Sequence, residues 1–404
     1  MEKEIRSLLI IGLDVTSLAK SANRAGYDVY SVDYFGDTDL RKVCRESSSV
    51  IVQQKNESYG RLSAKFDPEN LLKLAKTLSR KHKIDGAVLS SGLEDFPKIL
   101  SELNDHIPIL GNNLYSINRV RDKNDFFQEL DRLRIPHPTT DVVENPKEAF
   151  KKARDIGYPV VVKPAKGFGG TGLRKVSNPQ RLDCAFKLAS SLSKRVLIQE
   201  YIQGIPASAS LMSIPGKSIA LTINEQLIGV RSLGQREPFG YCGNIVPLSA
   251  PKTVIERCKY VSERIATHYG LIGSNGVDFV LSKEGEPKVV EVNPRFQGTL
   301  ECVERVLGIN VLEAHVEACV SEILPKKMTS PRCFCTRLIL FAKKRSKIQD
   351  LMEFKEARDI PLSEVIVEQG EPICSIITEG SSRENSFDRA KDVANSIYVS
   401  IHLQ

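Results

Sequence analysis

The sequence predicts an α/β protein of mixed α+β character, built from more than one domain. Three observations carry this. The chain has 404 residues, against a prior of roughly 150 per domain. Its first 115 residues alternate short apolar runs with amphipathic segments, the pattern of a small doubly wound, Rossmann-like domain. From there to residue 325 β-branched residues and glycine turns dominate, and the remainder mixes strands with one closing helix. The expected divisions are 1–115, 116–325 and 326–404.

Taken in order, residues 8–13 read as a buried strand, 17–24 as a helix entered through Thr16 or Ser17, and 29–32 as a second strand ending at Asp33. A helix over about 68–82, a strand at 86–89, a helix near 96–103 and a short strand at 108–110 continue the alternation. In the second region, 158–164 is a buried strand that delivers Lys163 at its end, and 173–176 is strand-like and stops at the turn Ser177-Asn178-Pro179. Residues 196–202 form a strand whose polar residues follow an apolar run. Two further strands, 277–281 and 288–293, flank a polar stretch centred on Glu284-Gly285 and read as a hairpin. Residues 311–320 have a helical apolar pattern in which His315 is structural. The third region holds strands at 337–342 and 373–378 and a helix at 387–398.

Composition excludes several classes of function. Fifty-seven basic against 50 acidic residues leave a surplus of +7, spread along the chain rather than gathered into a stripe. That favours anionic small molecules and speaks against nucleic acid. The densest basic run, Lys343-Lys344-Arg345-Ser346-Lys347, follows an apolar stretch and reads as a solvated strand end or turn. Nine cysteines without a C-x-x-C pair argue against a disulfide framework or a zinc ribbon, and point to a reducing cytoplasm. No stretch approaches the 18 or so apolar residues of a membrane span, so neither membrane insertion nor secretion is expected.

The chemistry is carried by a glycine-rich loop, Lys163-Pro164-Ala165-Lys166-Gly167-Phe168-Gly169-Gly170-Thr171-Gly172, and by Asp278, Glu291, Asn293 and Arg295 more than a hundred residues later. Glycines let backbone N–H groups approach phosphate oxygens, lysines add point charge, and carboxylates with an amide oxygen suit Mg²⁺. Gly167, Gly169 and Gly172 satisfy G-x-G-x-x-G, but a dinucleotide loop must lead into a helix, and here strand-like residues follow. Gly12 lacks the second and third glycines of that motif, and no G-K-[ST] closes the loop as a P-loop would. A glycine loop between two strands is instead a flexible flap.

Pairing the hairpin about Glu284-Gly285 sets Asp278 opposite Glu291, with Asn293 on the same face beside Val280 and Val289. Facing carboxylates repel unless a cation lies between them. Mg²⁺ carrying ATP phosphates is the natural cation, and Arg295 is placed to neutralise transferred phosphoryl charge. Two solvent-facing acids on an edge hairpin are the plain structural alternative. Between flap and hairpin, residues 196–202 suit adenine, with Glu200 taking a ribose hydroxyl or the exocyclic amine.

In combination these residues resemble the ATP-grasp superfamily along the whole chain: an N-terminal α/β domain, Asp122-Lys123, the flap after Val162-Lys163-Pro164, Gln199-Glu200-Tyr201-Ile202, Gly276-Val277-Asp278-Phe279 and Glu291-Val292-Asn293-Pro294-Arg295. The resemblance implies an ATP-grasp fold with an N-terminal Rossmann-like pre-ATP-grasp domain, a lid over about 130–200, and a small C-terminal α+β region. It implies that Lys123 and Lys163 contact ATP phosphates, that Glu200, Tyr201 and Ile202 meet adenine and ribose, and that Asp278, Glu291 and Asn293 hold Mg²⁺ or Mn²⁺. Gly167, Gly169, Gly170 and Gly172 would close over the phosphates, with Lys163 and Arg295 as catalytic residues. Two departures are visible: Gln203-Gly204-Ile205 replaces an acidic residue common after the hinge, and Asp278 stands where glutamate is frequent. The C-terminal region is similar to carboxylase-like and carboxylate–amine ligase branches, distantly that of biotin carboxylases. Within the family the chain most resembles uncharacterised archaeal-type proteins described as ATP-dependent carboligases.

The expected activity is an ADP-forming ligase that makes an acyl phosphate from a carboxylate and lets an amine attack it. Its partners would be small-molecule carboxylate and amine substrates, and the resemblance implies a homodimer. A bicarbonate-using, carboxylase-like ligase shares every ATP residue, and a non-catalytic nucleotide-binding protein is the alternative from a different class. For the substrate, Arg231, Arg236, Tyr241 and Asn244 lie between Gly229 and Pro247, where arginines suit a bidentate grip on a carboxylate.

Overall fold

A computed structural model describes residues 5–58, 66–167, 169–325 and 330–403. Phe168 of the flap and the expected boundary at 326 lie outside the described residues. The first sheet forms where the sequence is apolar without interruption. Strand Ser7–Ile11 is buried along its whole length and pairs in parallel with Asp28–Asp33 on one side and Gly86–Leu89 on the other, while Glu46–Ser49 extends the former edge. Such runs suit a parallel sheet covered on both faces. Helices Thr16–Arg24, Pro68–Lys81 and Pro97–His106 supply the covers.

Two details differ from the sequence reading. The strand expected at 108–110 is reduced to a single bridge between Ala87 and Ile109. Neither Thr16 nor Ser17 caps the first helix, which begins after Val15 with no side-chain cap. Both residues are buried within its first turn.

The second sheet has eight strands, all antiparallel. Their order is Pro287–Asn293, Gly273–Leu281, Ile205–Ile214, Lys217–Ile228, Tyr241–Val246, Phe334–Phe341, Pro372–Gly380 and Ala357–Arg358. Strands from the C-terminal region thus continue the sheet begun by residues 205–293. One face packs on helices Lys123–Arg132 and Lys252–His268 through Phe126, Ile265 and Val277. The other packs on Leu300–Leu307 and Val311–Val320, and through Leu18 and Ala22 shares one core with the N-terminal sheet.

A third sheet of Thr140–Val143, Val196–Glu200, Val160–Pro164 and Arg174–Val176 is backed by helices Pro146–Ile156 and Leu182–Leu192. It carries the flap between its last two strands. Among the described residues no helix is long and apolar enough to cross a membrane.

Candidate active site

A cavity of about 440 Å³ opens where loops from the carboxyl ends of the first sheet meet the flap, the 273–293 hairpin and the middle of the eight-stranded sheet. Open α/β sheets present ligands at that end.

The hairpin sets Asp278 opposite Glu291 and Gly276 opposite Asn293, as expected, but the pairs beside its turn run in the register that would put Val290 there. The pairing then shifts, so that Phe279 faces Val289 and Val290 is the extra residue of a bulge. Val289 therefore leaves the Asp278 face and is fully buried in the core, contrary to the simple alternation. Asn293 Nδ2 donates to Asp278 Oδ2 at 2.9 Å, Gln226 Nε2 to Asp278 Oδ1 at 3.0 Å, and Gln297 Nε2 to the same oxygen at 3.4 Å. Burial, then the charge of Glu291, pushes the Asp278 carboxyl up to about 6.

Glu291 has the opposite balance. Burial would raise its pKa, yet Lys123, Arg121 and Lys163 together hold it well below the usual carboxylate range. Arg121 Nη1 donates to Glu291 Oε1, and Lys123 Nζ lies 3.3 Å from the same oxygen without hydrogen-bond geometry. Arg121 ends helix Leu114–Arg121, and Lys123 starts the next helix behind an Asp122 cap. Lys163 projects from strand Val160–Pro164. Lys123 is 5% and Lys163 7% exposed. Burial, followed by the neighbouring Lys123 charge, pulls Lys163 down to about 8, and burial also lowers Lys123.

The facing carboxylates are thus balanced by cations of the protein itself, of which Arg121 went unrecognised in the sequence. Their donor set still fits Mg²⁺. Two carboxylates and an amide oxygen are hard ligands on one face beside open space, and Mg²⁺ commonly rests on one or two carboxylates plus phosphate oxygens. Among the described residues no trio of His, Cys, Asp and Glu makes a metal cage on its own.

Arg295 bridges the hairpin and the loop after strand Gly86–Leu89: its Nε donates to buried Glu94 at 2.6 Å, and its Nη2 to Asn293 Oδ1 at 3.3 Å. Gly167, Gly169 and Gly170 line the cavity. Gly170 has a φ of 77°, and a Cβ there would lie 1.9 Å from the Phe239 carbonyl oxygen, so only glycine permits this approach. Gly172 is outside the lining, although its φ of 77° is equally glycine-like.

Glu200, Tyr201 and Ile202 are also outside the cavity lining. Glu200 Oε2 accepts from Thr139 N at 3.1 Å, and Lys175 Nζ sits 3.6 Å from the Tyr201 ring centre. Of the four substrate candidates the structure brings two to the cavity: Tyr241 and Asn244, whose Tyr241 hydroxyl donates to Asn244 Oδ1. Arg231 and Arg236 are exposed and line no part of it; Arg236 reaches Gln369 at 3.4 Å instead.

The arginine on that wall is Arg337, 5% exposed, which Asn244 pairs across the strands. Its Nη2 donates to Asp14 Oδ2 and Asp359 Oδ2, both at 2.8 Å, and its Nη1 to the Gly298 carbonyl at 3.0 Å. Burial and Asp359 raise Asp14 to about 6. The sequence marked Arg337 only as the start of a strand.

Residues 120–299 match the ATP-grasp domain family. The chain is 26% identical over 396 residues to an uncharacterized protein of Methanocaldococcus jannaschii, covering 96% of this chain and 90% of that one. Its fold is similar to the biotin carboxylase domain of Hydrogenobacter thermophilus 2-oxoglutarate carboxylase, solved as a dimer with MgADP, ADP and bicarbonate, at a TM-score of 0.77 and 15% identity over 100% of this chain and 91% of the other. It is also similar to the L-amino acid ligase of Bacillus licheniformis, at a TM-score of 0.73 and 15% identity over 100% and 99% of the two chains. The chain thus carries an ATP-grasp domain within an ATP-grasp fold, and is an ATP-grasp ligase.

Proposed function

We propose that the chain is an ADP-forming ligase that activates a carboxylate as an acyl phosphate and joins it to an amine. The observation that carries the reading is the meeting of buried Lys123 and Lys163, which lie behind the cavity lining, with the Glu291 and Asp278 carboxylates, which line the cavity with Asn293 and the flap glycines. Two buried lysines with lowered pKa values are costly to keep unless an anion comes to them. Lys123 and Lys163 would take ATP phosphates, the flap glycines would close over them, and the segment Glu200–Ile202 would meet adenine and ribose.

Asp278, Glu291 and Asn293 would hold Mg²⁺ or Mn²⁺, which when bound neutralises phosphate charge during transfer. The substrate carboxylate oxygen attacks the γ-phosphorus, and the bond to the β–γ bridging oxygen breaks to release ADP. The amine lone pair then attacks the acyl carbon, inorganic phosphate leaves, and the nitrogen loses a proton to solvent. Lys163 and Arg295 would stabilise charge on the transferred group, while the closed flap keeps water from the acyl phosphate. Tyr241 and Asn244 face the space left for the substrate. The same reading takes residues 1–115 as a pre-ATP-grasp domain, 116–325 as the ATP-grasp domain and 326–404 as the region completing its core, in a cytoplasmic homodimer.

The test is ADP release from Mg-ATP with panels of carboxylates, each with hydroxylamine to trap the acyl phosphate as a hydroxamate. Carboxylate-dependent ADP and hydroxamate support the reading. Bicarbonate-dependent ADP without hydroxamate would replace it with a carboxylase-like one, and ATP binding without ADP release from any carboxylate or bicarbonate would refute it.

A further inference from the structure

Four segments far apart in sequence meet at one ion pair. Asp95 follows strand Gly86–Leu89 in a loop before helix Pro97–His106. Its Oδ1 and Oδ2 accept from Arg121 Nε at 2.7 Å and Nη2 at 2.8 Å, a two-pronged pair with side chains 10% and 7% exposed. Both partners reach further. The remaining Arg121 nitrogen, Nη1, donates to Glu291. Asp95 Oδ2 also accepts from the Gly167 backbone N–H of the flap at 3.4 Å, and the Asp95 carbonyl accepts from Lys166 Nζ at 3.3 Å.

We infer that Asp95 is a positioning residue that ties flap closure to the Glu291 carboxylate through Arg121. The inference rests on reading the cavity as a nucleotide site. A purely architectural ion pair would be indifferent to the flap and to the hairpin, whereas this one touches both. The flap has other anchors, Tyr241 N to the Gly169 carbonyl at 3.2 Å and the Arg174–Glu237 pair at 2.5 Å, but those run to the 229–241 loop and bypass Glu291. Among the described residues, Asp95 alone joins the flap to the hairpin carboxylate, through Arg121.

The consequence is a linkage. A divalent cation at Glu291 competes with Arg121 for the carboxylate. Arg121 can yield because Asp95 still satisfies two of its nitrogens, so its buried charge is never left alone. Without the Asp95 charge, Arg121 falls back on Glu291 and opposes the cation, and the flap loses the charge that holds the Gly167 N–H, keeping only the Lys166 bond to the main-chain carbonyl. Coupling of this kind is commonly worth about 5- to 150-fold in affinity.

The experiment uses Asp95→Asn, which keeps the shape and removes the charge, and Asp95→Glu, which keeps the charge on a longer arm. Two readouts apply to the full chain. Hydrogen exchange follows the 166–172 flap without nucleotide, and calorimetry measures the Mg²⁺ concentration that half-saturates ATP binding. For Asp95→Asn, flap exchange should rise about 10-fold with the helix cores unchanged, and the Mg²⁺ requirement should rise about 10-fold. Asp95→Glu should recover the Mg²⁺ requirement but not flap protection, which separates the two arms. Wild-type values for both readouts in Asp95→Asn would overturn the inference. So would faster exchange throughout the chain, which would make Asp95 merely structural. If wild type bound no ATP, the functional reading would fail, and the nucleotide-free exchange would still decide whether Asp95 holds the flap.

Discussion

Replacing Lys163 with methionine should make the protein more stable while impairing nucleotide binding. Lys163 is 7% exposed on a buried strand, and burial with the Lys123 charge lowers its pKa from 10.5 to about 8. That fall already includes the attraction of Glu291 and Asp278. At about 1.4 kcal/mol per pH unit, it means that the folded protein holds this proton less favourably than the unfolded chain by roughly 3 kcal/mol. Because the folded-state pKa is the lower one, the penalty is complete below about 8, shrinks as pH rises towards 10.5, and vanishes above it. Methionine has similar length and no charge to desolvate. Urea unfolding of Lys163→Met should therefore show a gain of roughly 3 kcal/mol over wild type at neutral pH, narrowing towards zero in strongly alkaline buffer. ATP affinity should fall about 10- to 100-fold, the worth of one hydrogen bond to a charged group. A variant no more stable than wild type at neutral pH would refute the claim that Lys163 is held at a cost for the sake of an anion.

Four further outcomes follow from the same geometry. The ATP affinity of wild type should decline as pH rises through about 8, and Lys163→Arg should remove that decline, since arginine keeps its proton; calorimetry across pH checks it. Glu291→Gln leaves Arg121 and Lys123 facing a neutral amide, and should lose roughly 3 kcal/mol of stability in urea, together with the Mg²⁺ dependence of ATP binding. Gly170→Ala puts a methyl 1.9 Å from the Phe239 carbonyl, so the flap must lift; ATP turnover should fall about 10-fold or more with little change in the melting temperature. Arg337→Met strips the shared partner from Asp14 and Asp359, and should destabilise by about 3–5 kcal/mol at neutral pH. Part of that loss should return as the pH falls towards about 6, because without Arg337 the Asp14 carboxyl takes up its proton at a higher pH than in wild type, as urea midpoints across that range would show.

The parts of this arrangement that local chemistry dictates were readable in the sequence. The polar turn at Glu284-Gly285 announces the hairpin, and pairing about it foresees Asp278 against Glu291, although that pair is reached only through the bulge at Val290. The glycines of the flap announce backbone conformations that other residues resist. What escaped reading depends on contacts between distant segments. Arg121 belongs to no motif and becomes significant only because the end of its helix meets the hairpin and the Asp95 loop. The bulge at Val290 is a one-residue slip that turns Val289 into the core, and period-two counting has no means of foreseeing it. Arg231 and Arg236 looked suited to gripping an anion by type and spacing, yet tertiary packing leaves them exposed. Arg337, a single charge at the head of an apolar strand, occupies the cavity wall instead.

The most direct test of the central claim is calorimetric titration of the wild-type protein with ATP, with and without Mg²⁺, beside Lys163→Met and an NADH control. The expected result is ATP binding that Mg²⁺ strengthens, that Lys163→Met weakens about 10- to 100-fold, and that NADH does not reproduce. ATP binding indifferent to both Mg²⁺ and Lys163, or NADH binding in its place, would contradict the assignment of the buried lysines and hairpin carboxylates to a metal–nucleotide site.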